Sequence, residues 1–139
     1  MIKKLFAASV ILLAIFSISF AGSVPDIQEG EWEITKIMTI QAMGMALPSK
    51  KYTQCLTKKN LIPYKSQSGE ECKISQTKVT GNTVTWTMQC SGGHGGDMKG
   101  TGEIIYSGSS VKGKVELKGA QPNSGMISQL SGKRIGDCK

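Results

Sequence analysis

The sequence has 139 residues, 39% hydrophobic and 19% charged, and its lysines and arginines outnumber its acids by seven. Such a chain makes one globular domain: it is too short for two and too apolar to stay disordered. Its 17 glycines follow no triplet repeat, which excludes a collagen-like rod.

The chain opens MIKKLFAASVILLAIFSISFA. Lys3 and Lys4 give a positive start, Leu5 to Phe20 is uncharged and largely apolar, and Ser19 and Ala21 are the small residues a signal peptidase reads. Residues 1–21 are therefore expected to be a signal peptide cleaved after Ala21. The apolar run is shorter than the ~20 residues a membrane-spanning helix needs. No cysteine follows the cut to carry a lipid, and no second long apolar run follows. The mature domain is then 22–139. Without Lys3 and Lys4 its positive excess falls to five, and all three phenylalanines (Phe6, Phe16, Phe20) leave with the leader. Trp32, Trp86, Tyr52, Tyr64 and Tyr106 remain, a thin aromatic supply for a domain of marginal size.

From Gly30 to Met38 the residues alternate as in a strand, with Trp32, Ile34, Lys36 and Met38 on one face and Glu31, Glu33 and Thr35 on the other. Ala42 to Pro48 breaks the pattern. A second strand is expected near Lys51 to Leu56. Thr57 to Ile62 reads as a short helix with Thr57 as its cap, stopped by Pro63. Polar Ser66 to Glu71 reads as loop. Lys73 to Thr80, the turn Gly81-Asn82 and the alternating Thr83 to Met88 read as a hairpin. A glycine-rich loop, Ser91 to Asp97, surrounds His94. Further strands are expected near Lys99–Tyr106, Val111–Lys118 and Gly125–Arg134. In the second of these, Val111, Gly113, Val115 and Leu117 face in, while Lys112, Lys114, Glu116 and Lys118 face out. The sum is an all-β domain: about seven antiparallel strands curled into a small barrel or sandwich, with at most one short helix. Glycines inside the strands suit the bends such curvature needs.

Cys55, Cys72, Cys90 and Cys138 are even in number and all lie beyond the leader. In an oxidising compartment they form two disulfides; their wide spacing does not suit zinc. The preferred pairs are Cys55–Cys72, stapling the one non-strand segment, and Cys90–Cys138, tying down the C-terminus. The rival is Cys72–Cys90 across a hairpin with Cys55–Cys138.

Several stretches together resemble an uncharacterised family of small exported bacterial proteins, domain-of-unknown-function family 3617. They are Gly30-Glu31-Trp32-Glu33, Gln54-Cys55-Leu56, Cys72-Lys73-Ile74, Gly81 to Trp86, Gly100 to Ile104, Tyr106-Ser107-Gly108 and the closing Ser131-Gly132-Lys133-Arg134-Ile135-Gly136-Asp137-Cys138. The likeness runs from Pro25 to the C-terminus. It implies export and disulfides, and no assigned chemistry.

No catalytic constellation stands out. The one histidine, His94, has no nucleophile or carboxylate in an evident partnership with it. Glu31 and Glu33 share one strand face, most simply a solvated one. Gly100-x-Gly102 lacks the third glycine and the helix of a dinucleotide fingerprint. An enzyme is therefore not expected, no cofactor is implied, and a hydrolase of unrecognised type is an alternative only. Methionine is abundant, and thioethers are soft ligands for Cu(I) where thiols are oxidised. Met43, Met45 and His94 are the alternative metal ligands, while Met38, Met88 and Met126 read as core filler. Dispersed lysines allow an anionic partner, whereas nucleic acid, which needs basic residues interleaved with exposed aromatics, is not expected. The reading is a periplasmic, possibly secreted, binding or envelope-accessory protein. It would take a small ligand or an envelope protein, with Trp32, Trp86 and Tyr106 as the candidate ligand-binding residues.

Overall fold

A computed structural model describes residues 24–65, 69–92 and 96–139. The proposed leader and His94 lie outside the described residues. The strands are β1 (Gly30–Ile40), β2 (Met45–Ala46), β3 (Lys50–Leu56), β4 (Glu70–Thr80), β5 (Thr83–Gly92), β6 (Met98–Ser107), β7 (Ser110–Gly119) and β8 (Met126–Gly136). All pair antiparallel in one sheet, in the order β2-β1-β8-β7-β6-β5-β4, with β3 also on β1. β2 and β3 pair with successive stretches of β1 and so act as one broken edge strand. The sheet is curled but does not close, so it is neither a complete barrel nor a two-sheet sandwich.

The alternation read from the sequence sets the faces. Trp32 and Ile34 of β1, Val84, Trp86 and Met88 of β5, Ile104 and Tyr106 of β6 and Val111, Val115 and Leu117 of β7 are all buried on the inner side. Trp32 and Tyr106 meet edge to face, centroids 5.8 Å apart. Burying an indole of about 200 Å² at ~25 cal/mol per Å² stabilises the fold by up to about 5 kcal/mol, so the two tryptophans offset much of the missing phenylalanine. Gly102 makes room for one of them: a Cβ there would lie 2.2 Å from the Trp86 ring. The strand glycine thus serves close packing of an aromatic on backbone.

The hairpin at Gly81-Asn82 forms as expected, although only Gly81 takes a positive φ (58°), which fits a turn with glycine first. Its partner strand carries a bulge. The register shifts between Ser75 and Lys78, and Gln76 there adopts a φ of 52°.

Two expectations are corrected. Residues 57–62 do not form a helix. Thr57 Oγ1 does accept from the amides of Lys59 and Asn60, as a cap would, but Thr57 and Asn60 then bond each other's backbone and fold the chain back. Pro63 also forbids a helical continuation. The disulfides are Cys55–Cys138 and Cys72–Cys90, not the preferred Cys55–Cys72 and Cys90–Cys138. The reason is topological: Cys55 is on β3 and Cys72 on β4, at opposite edges of the sheet. Cys72 instead faces Cys90 across the hairpin. Cys138, just past β8, bonds to β3, so this bridge joins the two neighbours of β1.

Candidate functional site

One end of the curled sheet is sealed. Residues 25–29 run beside the β6–β7 turn, where Ile27 bridges to Gly108, Gln28 N–H donates to the Gly108 carbonyl, and Asp26 N–H donates to Asn82 Oδ1. Trp32 and Tyr106 lie beneath, and the Trp32 Nε1–H donates to the Gln28 carbonyl at 3.1 Å. Arg134 fastens the same end through its Nε–H to the Glu29 carbonyl (2.8 Å) and its guanidinium to Asp137. In the closing Gly-Lys-Arg-Ile-Gly-Asp-Cys, then, Arg134 and Asp137 brace the end of the chain for the Cys138 disulfide.

The other end holds the cleft. After β3 the chain must reach β4 at the far edge of the sheet, and residues 57–65 begin that crossing. Three side chains hold this strap by consecutive carbonyls. Tyr106 Oη–H donates to Leu61, Gln54 Nε2–H to Ile62 (3.2 Å) and Tyr52 Oη–H to Pro63 (2.8 Å). Burial pushes the Tyr52 hydroxyl up to about 12 and raises that of Tyr106 as well, because a phenolate has no water there to solvate it.

Between strap and sheet lies a cleft with about 40 Å³ of room. Lys36 and Met38 of β1, Met126, Ser128 and Leu130 of β8, Val115 and Leu117 of β7 and Trp86 and Met88 of β5 form its floor. Tyr52, Pro63, Tyr64, Lys65 and Glu70 form its rim. Lys36 is half-buried, and burial lowers its pKa, partly opposed by the Glu70 carboxylate and aided by Lys50. Tyr64 Oη–H donates to Glu70 Oε1 at 3.1 Å; burial first, then the charge and hydrogen bond of Glu70, raise the Tyr64 pKa. Glu70 Oε1 also lies 2.9 Å from Cys72 Sγ. Glu70, Cys72 and Cys90 are close enough to suggest a metal centre, but both sulfurs are spent in the disulfide, and thiolate ligation needs them free.

Of the three candidate aromatics, Trp86 borders the cleft, while Trp32 and Tyr106 pack at the sealed end and are bonded to backbone. Met43 and Met45 sit exposed at the β1–β2 turn, 56% and 60% accessible. Of the methionines read as core filler, Met88 is buried in the core and Met126 packs against it, and both border the cleft together with Met38. Glu31 and Glu33 lie on the face of β1 opposite Trp32 and away from the cleft floor. Sequence reasoning missed Lys36, although its signal was present: a lysine on the same strand face as Trp32, Ile34 and Met38. Glu70 and Tyr64 gave no signal, since only the crossing of the strap brings them to the rim.

The family described as "Protein of unknown function (DUF3617)" matches residues 27–138. The chain belongs to this family. The match begins at Ile27, which helps seal the closed end, and ends at Cys138, which bonds β3. The DUF3617 match therefore takes in the whole sheet, the strap and both disulfides. No curated protein and no solved structure matches the chain.

Proposed function

We propose that this chain is an exported, periplasmic binding protein without catalytic activity, and that it takes a small ligand in the cleft beneath the strap. Export is supported by the leader-like residues 1–21 and by two disulfides in the described residues, which persist in oxidising compartments. No helix among the described residues is long and apolar enough to cross a membrane. The observation that carries the binding role is the cleft itself, a concave site with apolar walls and a few convergent polar groups.

Titration with xenon, an apolar atom small enough for this cleft, followed by its nuclear resonance, tests this reading. One atom per chain should bind saturably. Ser128→Phe, which fills the floor, should weaken binding about tenfold, the loss of roughly one buried contact surface, while melting stays cooperative. Equal binding by the parent and a folded Ser128→Phe protein would place the xenon elsewhere and end the proposal.

A further inference from the structure

The sheet buries its core on one face, and its other face meets water. In a curled open sheet the middle strands form the outer crest, and β8, β7 and β6 hold the middle of the strand order. Alternation sends Val111, Val115 and Leu117 of β7 inward, so Lys112, Lys114, Glu116 and Lys118 point outward. By register they share the crest with Lys99, Thr101, Glu103 and Ile105 of β6 and with Ile127, Gln129, Ser131 and Lys133 of β8. Five lysines stand there with two glutamates. One lysine answers both acids: Lys114 Nζ lies 2.7 Å from Glu116 Oε1 and sits directly opposite Glu103. Lys133 sits opposite Glu33 of β1. That leaves Lys112, opposite Ile105 and Ser131, and the pair Lys99 and Lys118, opposite each other. All three are exposed and form no ion pair among the described residues. Asp97, two residues before Lys99, borders the hollow beside this pair but bonds to neither lysine. Like charges directly across an antiparallel pair destabilise it. Two exposed isoleucines, Ile105 and Ile37, stand on the same outer face.

We propose that this crest docks on an anionic lipid bilayer. Lys112 and Lys118 lie on one strand, about 20 Å apart at strand rise. Charges spread that far match a plane of headgroups, not one point anion. Each unpaired ammonium within a Debye length of such a plane, about 8 Å, adds attraction and loses some repulsion from its neighbour. Ile105 and Ile37 add apolar contact at the headgroup boundary. The crest lies on the opposite side of the sheet from the cleft floor, so docking and ligand binding stand or fall separately.

Sedimentation with vesicles tests the docking. Vesicles of phosphatidylcholine with about one-third phosphatidylglycerol should bind the protein at least about thirtyfold more tightly than phosphatidylcholine alone, and rising salt should erase the difference. Replacing Lys99 and Lys118 together by glutamine should weaken binding to the anionic vesicles about tenfold, and adding Lys112→Gln should bring it close to the neutral level. Lys58→Gln with Lys59→Gln removes the same charge from the strap and should cost less than about threefold. Equal losses for the two double variants would show that net charge acts without this face and would overturn the proposal. So would equal affinity for the two kinds of vesicle. Displacement by soluble glycerol phosphate would reveal a discrete phosphate site. Polyglutamate bound as tightly as the anionic vesicles would reveal an acidic protein partner. Either result overturns the lipid assignment.

Discussion

The strap over the cleft is held by hydroxyl donors, and removing them one at a time measures whether it moves as a unit. Tyr106→Phe deletes the donor to the Leu61 carbonyl from a side chain only 1% exposed. The ring still fills its space against Trp32, so the loss is that of one bond and of a carbonyl left wanting. Such a change costs about 1–3 kcal/mol, and the depth of this site argues for about 2. Tyr52→Phe releases the Pro63 carbonyl at a half-buried position and should cost about 1 kcal/mol. In a domain of this size each kcal/mol lowers the melting temperature by about 3–6 °C. Because Leu61 and Pro63 lie two residues apart on one strap, a strap that lifts whole needs only one latch broken. The double variant should then lose less than the sum of the singles, by about 0.5–1 kcal/mol. Urea unfolding of the four proteins, followed by tryptophan fluorescence with unchanged denaturant dependence, gives the cycle. A Tyr106→Phe cost below about 0.5 kcal/mol, the scale of an ordinary surface change, would refute the latch. Strict additivity would refute the concerted strap.

Two further outcomes follow from the same geometry. Burial raises the folded-state pKa of Tyr52 from 10.0 to about 12, and those of Tyr64 and Tyr106 also rise. The stability these hydroxyls carry is complete below about pH 10 and is lost as the pH climbs through 12; alkaline unfolding should coincide with tyrosinate absorbance, and a fold unaffected across that interval would contradict the burial. The disulfides close sequence separations of 83 and 18 residues. By chain entropy, removing Cys55–Cys138 should cost about 4.5 kcal/mol and removing Cys72–Cys90 about 3. Unreduced peptide mapping should recover these two pairs, and chemical denaturation of the paired alanine variants should show the larger loss for the longer loop.

The strands were legible because each carries a period-two pattern on one buried face, most plainly in Thr83–Met88 and Val111–Lys118. The pairing of the cysteines was not, and the bulge explains half of it. Counting back from the Thr80–Thr83 pair without a bulge sets Cys72 opposite Ser91. The extra residue near Gln76 moves it opposite Cys90. No periodicity marks where a strand takes one residue too many. The other half is the strap. Thr57 followed by Lys58, Lys59 and Asn60 carries the local chemistry of a helix start, and the capping bonds do form. What the segment does next is set by long-range bonds from Tyr52, Gln54 and Tyr106, which local sequence does not encode. The cleft inherits the same division: Lys36 and Met38 were visible as part of β1, whereas their meeting with Glu70 and Tyr64 depends on that crossing.

The pairing of β1 with β8, from Ile40 opposite Met126 to Glu31 opposite Gly136, has a kinetic consequence. The hydrophobic face of the first long strand has no lateral neighbour on that side until the final dozen residues have been synthesised. Closing so large a loop is slow, and a nascent chain lacking those residues has no finished interior to collapse onto. The local hairpins of β4 to β7 need none of those residues, so the joining of β1 to β8 is the late step that completes the sheet.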